Sequence, residues 1–225
     1  MKTKIELIEK EEIINSIQNE NELFNKIMPF IKSVENFTFM NSKFTGSFDC
    51  KKLQTVGTNA FYRSEFTGDF DCQELQEVGN DAFYSSVFTG EFNCPDLQTV
   101  GWGAFENSEF TGNFNCPDLQ EVGDNAFRNS QFTGDFNCPN LQAVDYQAFE
   151  NSQFTGDFNC PNLTSVGDNA FRYSTFDTIT IGANAVLGSN CIGAHSTEFI
   201  QDYADNGKLA GTYVWDEVKQ HWDYQ

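Results

Sequence analysis

The feature that most constrains this 225-residue chain is that it repeats itself every 22 residues. The stretch FTGDFNCPNLTSVGDNAF (154–171) follows FTGDFNCPNLQAVDYQAF (132–149) and FTGNFNCPDLQEVGDNAF (110–127) at that fixed step. Phenylalanine fills three columns of the repeat. One runs through Phe44, Phe66, Phe88, Phe110, Phe132, Phe154 and Phe176, a second from Phe48 to Phe158, and a third from Phe61 to Phe171, each member of the third preceded by Ala. Together they take 19 of the 24 phenylalanines, so the ring is a structural element of every turn. Leucine (Leu53 to Leu163), valine (Val56 to Val166) and cysteine (Cys50 to Cys160) form further columns. A period of this length specifies a solenoid, because it is too short for a four-stranded propeller blade. One turn cannot bury its own apolar face, but stacked turns bury a continuous one.

Within the repeat, FTGDFNC fits a strand. Phe154, Gly156, Phe158 and Cys160 alternate with Thr155, Asp157 and Asn159, which sets the first group inward and the second outward. Pro161 ends the strand, since proline has no N–H to give a ladder. NLTSV turns the corner with Leu163 and Val166 inward. Gly-Asp-Asn is a turn signal, and AFRYS is expected to form one short helical turn. Parallel strands of successive coils should lie ~4.8 Å apart. The expected organisation is a helical N-terminal cap over 1–27, a degenerate half-repeat over 28–43, six repeats over 44–175, and a divergent last repeat with a mixed C-terminal cap over 176–225. In that last part the spacing predicts a helix over 198–206 capped by Ser196 and Thr197 and stopped by Gly207, a strand over 211–215, and a lid over 216–225.

The order Cys-Pro-x-Leu-x-x-Val-Gly-x-x-Ala-Phe-x-x-Ser, read here as CPNLTSVGDNAFRYS (160–174), resembles the BspA-like bacterial leucine-rich repeats. The tail ITIGANAVLGSNCIG followed by NGKLAGTY is similar to the end of such arrays, and the likeness covers about residues 28–215. The chain departs from that family in using Phe and Cys in its strand. The resemblance implies a leucine-rich-repeat-type solenoid with short parallel strands and little helix in the repeats. It also implies a binding or adhesion protein, displayed on a bacterial surface or secreted, with no catalytic residues to carry over.

Charge narrows the partners. The formal net charge is -20, and between Ser64 and Phe127 there are 13 acidic residues and no Lys or Arg. Such a surface repels phosphate backbones and anionic membranes, so nucleic acid is not an expected partner and a basic protein is. No apolar run approaches the ~18 residues of a membrane-crossing helix. MKTKIELIEKEEIINSI threads charges through its apolar residues and does not read as a secretory signal. That, with buried free thiols, points to the cytoplasm, whereas the resemblance points to the cell surface or secretion.

No cofactor is expected. Six cysteines at one inward position per coil form a line, which gives neither the geometry of disulfide pairs nor the tetrahedron of a zinc site, and they read as small apolar filler. Cys191 and His195 lie four apart in the terminal cap, where packing is the simpler reading than metal. There is no G-x-S-x-G, P-loop, H-E-x-x-H or EF-hand pattern and no His among the repeats, so no enzyme is expected. The candidate binding face is the outward strand strip: Thr67, Asp69, Asp71; Thr89, Glu91, Asn93; Thr133, Asp135, Asn137; and Asp157 with Asn159. Asp69 and Asp71 are candidates to share a calcium ion. A solvated strip whose Asn and Thr side chains bond along the stack is the alternative. Trp102 and Tyr146 break the pattern in an exposed turn and join the candidate site as aromatic contact points. The expected function is non-enzymatic protein recognition or adhesion; the alternative is a structural or weakly self-associating scaffold that uses its ends.

Overall fold

The computed structural model describes residues 30–43 and 45–225. The helical cap expected over 1–27 lies outside the described residues, as do Met28, Pro29 and Phe44. From Phe30 onward the chain winds as a parallel solenoid with two sheets along its length.

The valine sheet is continuous. It has eight two-residue strands, one per coil: Ser33–Val34, Thr55–Val56, Glu77–Val78, Thr99–Val100, Glu121–Val122, Ala143–Val144, Ser165–Val166 and Val186–Leu187. Each valine pairs with the next in strict register. The phenylalanine sheet carries the FTGDFNC segments and is interrupted. A three-stranded part (Phe48–Asp49, Phe70–Asp71, Phe92–Asn93) precedes a six-stranded part that starts at Thr111–Asn115 and continues through Gln131–Asn137, Asp157–Cys160 and Thr178–Ile181. The Phe48-column residues pair Phe to Phe within each part, and a slip between Phe132 and Phe136 sets Phe132 opposite Gly112.

The third side of each coil is the Ala-Phe segment, and here the expected helical turn does not form. Asn59 and Arg63, four residues apart, both take positive φ (53° and 52°), and the same pair of positions does so in later coils. A right-handed helix cannot pass through such residues. The segment is instead a pair of turns whose N–H groups alternate in partner. Ala60 and Ser64 donate to carbonyls within the coil, at 3.3 and 3.0 Å, while Phe61 donates to Ala82 O of the next coil at 2.6 Å. The backbone is thus paired between coils on this side too, without a strand.

The interior is one core of side-chain columns. Every described member of the three phenylalanine columns is buried, as are the leucine, valine, cysteine and alanine columns. Within a column the rings stack nearly parallel; between columns they meet edge to face, as Phe70 does with Phe83, Phe88 and Phe105. The step differs by column. From Phe61 to Phe171, centroids are 4.7–5.1 Å apart. From Phe66 to Phe176 the step is 5.3–6.0 Å. The first matches the ~4.8 Å of paired strands, and the second exceeds it. The coils are therefore wider apart at the start of the phenylalanine strand than on the Ala-Phe side, and the break in the phenylalanine sheet falls between Phe92 and Phe114, whose 5.7 Å step is the widest of the Phe48 column.

The half-coil at the start joins this stack: Phe39 lies on Phe61 at 5.1 Å and Ser33–Val34 pairs with Thr55–Val56. At the other end the chain reverses. Gly211–Asp216 pairs antiparallel with Thr178–Ile181, and His221–Tyr224, expected as part of a lid, pairs antiparallel with Gly211–Asp216 as the outermost strand. One helix, Ser196–Asp205, packs against this hairpin. It starts two residues before the expected position. His195, in the left-handed region, is its cap, and the Ser196 hydroxyl accepts from Ile192 N at 3.3 Å instead of capping. Gly207, at φ +71°, stops it as expected. Asp202 Oδ2 accepts the Trp222 N–H at 2.7 Å, which engages one donor of the last strand.

Phe105 sits mid-array, fully buried, stacked on Phe83 and Phe127 at 4.9 and 5.0 Å. Replacing it with alanine removes a ring from a column that cannot collapse without shifting its neighbours. Phe105→Ala should cost about 3–5 kcal/mol and markedly lower the melting temperature; unchanged melting would show that the ring is not a core element.

Candidate functional site

The strand strip is assembled as expected, one row per coil. Thr67, Asp69, Thr89, Glu91, Asn93, Thr133, Asp135, Asp157 and Asn159 are exposed, and Asp71 and Asn137 half-buried. Much of its hydrogen-bonding capacity is turned inward along the stack. Asp69 Oδ1 accepts from Glu91 N at 2.9 Å, Asn113 Oδ1 from Asp135 N at 3.0 Å, and Asp135 Oδ1 from Asp157 N at 3.0 Å. These side chains satisfy backbone donors where the strands are irregular. The next column is an amide ladder: Asn137 Nδ2 donates to Asn115 at 2.9 Å and Asn159 Nδ2 to Asn137 at 2.8 Å. On the other side of the sheet break, Asn93 Nδ2 donates to Asp71 Oδ1 at 3.1 Å. Burial tends to raise the Asp71 pKa, but hydrogen bonds from Lys51, Gln73 and Asn93 prevail and hold it below the usual carboxylate value. Asp71 is thus spent on Lys51 (2.6 Å), and among the described residues no group of acids, His and Cys is arranged to hold a metal ion.

Trp102 and Tyr146 belong to a different side of the coil. Each lies two residues past the end of a valine strand, after Val100-Gly101 and Val144-Asp145. Their N–H groups donate to Asn80 Oδ1 (3.0 Å) and Asp124 Oδ1 (2.9 Å) of the preceding coil. The two residues remain 48% and 45% exposed. They stand beside a groove of about 570 Å³ that runs along the outer face of the valine sheet from Ser33 to Asp145. Its floor is close-packed backbone. A Cβ on Gly101 would lie 2.8 Å from Asn80 N and 2.9 Å from Gly79 C, so a side chain there would force the backbone of the preceding coil to shift. Its walls carry Thr55, Glu77, Thr99 and Glu121, and among the described residues no Lys or Arg lines it. Asp145 takes the glycine place of its coil, and burial together with Asp124 and Glu121 pushes its carboxyl above the ordinary value.

The other candidates resolve into packing. The seven cysteines are free and buried. Desolvation raises the Cys138 thiol to about 12 and the Cys191 thiol to about 11, which leaves them protonated and unreactive at neutral pH. His195 stacks on Trp215 at 3.8 Å, while Cys191 lies against Ser196, so the pair does not converge. A charge ladder that sequence reasoning missed runs along the Ala-Phe side. Arg128 bridges Glu106 (3.4 Å) and Glu150 (3.0 Å), and Arg172 meets Glu150 at 3.2 Å. The signal was available: position 106 and each 22nd residue onward read Glu, Arg, Glu, Arg.

The chain matches the family of the BspA type leucine rich repeat region, in six copies, over residues 11–133 and 76–197. With most of its length matched, it belongs to that family, whose character suggests a protein–protein interaction or adhesion module. No curated protein matches it.

Two outcomes are expected. In the native protein a thiol reagent should find no reactive cysteine, and all seven should react after denaturation; fast labelling of the native form would contradict the buried column. Asp145→Asn tests the groove charge. With its native pKa raised, Asp145 binds its proton more tightly folded than unfolded, so its contribution to stability falls as pH rises above the ordinary carboxylate value. Urea unfolding from pH 4 to 7 should show a shallower loss of stability in the variant, and identical curves would place Asp145 in ordinary solvent.

Proposed function

We propose that this chain is a non-enzymatic protein-recognition module that presents acidic outer faces, the Thr/Asp/Asn strand strip among them, to a basic partner. The observation that carries this reading is the separation of roles across the coil. The interior is filled by apolar columns, and the carboxylates stand outside them, save Glu150, which is buried between Arg128 and Arg172; over the 64–127 span there is no Lys or Arg. A solenoid face of this kind is extended, rigid and repeated, which suits contact with a surface more than with a small molecule. Its potential attracts cationic partners and raises their rate of encounter. The end-to-end scaffold reading has less support, because the C-terminal hairpin is held by the helix through Asp202 and Trp222.

The experiment is capture of partners from lysate on the immobilised chain, at low and high salt, compared with a variant carrying Asn at Asp69, Asp71, Asp135 and Asp157. Retention that falls with salt and with the variant supports the strand strip. Equal recovery by the variant removes that face from the reading, and no recovery by either chain removes recognition itself.

A further inference from the structure

Two columns beside the valine-sheet groove share a second period, of two coils. At the position after the groove glycines the chain reads Asn80, Trp102, Asp124, Tyr146, Asp168, so aromatic and polar residues alternate. On the valine strands the outward residue reads Thr55, Glu77, Thr99, Glu121, so hydroxyl and carboxylate alternate over these four coils, flanked by Ser33 before and Ala143 after. Trp102 and Tyr146 are therefore separated by two coils, and so are Glu77 and Glu121. Two coils span about 9.4–9.8 Å. A polyproline II helix advances about 9.3 Å in its three-residue turn (~3.1 Å per residue). A peptide in that conformation, laid along the solenoid axis, repeats one edge against the rings and another against the carboxylates, in phase with both columns. An extended β-strand repeats its side chains every two residues, about 6.6–6.8 Å, and falls out of phase.

We propose that the groove over the valine sheet, with Trp102 and Tyr146 on its edge and Glu77 and Glu121 on its wall, docks a cationic polyproline II segment of a partner protein, prolines on the rings and Arg or Lys on the carboxylates. This rests on the recognition reading above and places the contact on the side of the coil opposite in role to the strand strip. Three features favour a peptide of this charge and shape. The groove is open and elongated rather than enclosed, it carries carboxylates and, among the described residues, no cation, and aromatic-edged grooves suit the preformed polyproline helix, which loses little entropy on docking. Arg stems also gain from the ring faces. At the Asp145 end of the groove, burial and then the neighbouring Asp124 and Glu121 raise the Asp145 carboxyl, so a cation docked there would favour its charged form.

The test uses the full chain and a fluorescent peptide of repeated Arg-Pro-Pro triplets, read by anisotropy. A second peptide has the same composition with the arginines grouped at one end, and a third probe is a β-linked glucan oligosaccharide. The triplet peptide should bind, and the grouped peptide should bind about fivefold more weakly or worse. Trp102→Ala and Tyr146→Ala should each weaken the triplet peptide by about fivefold, the size of one ring contact. The double variant Glu77→Gln/Glu121→Gln should weaken binding of the triplet peptide and reduce its salt dependence. The strand-strip variant should bind it normally. All four side chains are exposed, so melting curves should stay unchanged and any loss reads binding rather than folding. Equal binding of the two peptides, indifference to Trp102→Ala, or preferential glucan binding through Trp102 would each overturn the proposal. If the peptides fail while basic proteins are still captured, the groove inference falls and the recognition reading stands.

Discussion

Stacking of identical phenylalanine rings from coil to coil is the interaction on which the rest of the molecule depends. Paired strands fix a rise of ~4.8 Å per coil. Rings at 4.7–5.1 Å in the Ala-Phe column accept that rise. Rings at 5.3–6.0 Å in the Phe66 column exceed it. The phenylalanine strands are correspondingly irregular, and their sheet breaks between Phe92 and Phe114, where the rings of the Phe48 column stand 5.7 Å apart. The valine sheet, over a narrower part of the core, stays unbroken across eight strands. An interior built of bulky rings on one side and of Leu, Val and Ala on the other thus sets which sheet is continuous and where a groove can lie.

Polar residues follow the same periodicity and serve the stack first. Asp69, Asp135 and Asn113 accept backbone N–H groups of the next coil, and Asn115, Asn137 and Asn159 form an amide ladder. Arg128 and Arg172 alternate with Glu106 and Glu150 on the Ala-Phe side. An exposed residue in a repeat array is therefore not free by virtue of exposure. Trp102 and Tyr146 differ in kind. Only their backbones take part in the inter-coil pattern described, and their rings add surface with no evident service to the core.

The solenoid, its inward columns and its polar exterior could all be read from a period of 22 and from the alternation in FTGDFNC, because each column is a property of composition repeated at a fixed step. Three things could not. The valine strands are two residues long, too short to show an alternation, so the unbroken sheet read as a mere corner. The Ala-Phe segment has helix-compatible residues, but its inter-coil hydrogen bonds and left-handed Asn59 and Arg63 depend on a neighbouring coil that a single repeat does not reveal. Trp102 and Tyr146 stood out as breaks in the pattern, yet the side of the coil they occupy depends on where the chain turns. The double-coil period was present in the sequence and became meaningful only once the columns were placed beside one groove.

The most direct test of the stacked-column architecture is the excision of one coil, residues 111–132, which rejoins Phe110 to Thr133 in the same phase of the repeat. Because each coil touches its neighbours through columns of the same residues, the shortened chain should still fold, with cooperative unfolding at a lower temperature and an unchanged near-ultraviolet circular dichroism signature per aromatic ring. A shortened chain that is unfolded, or that keeps its secondary structure while losing that signature, would contradict an interior held together by interchangeable stacked rings.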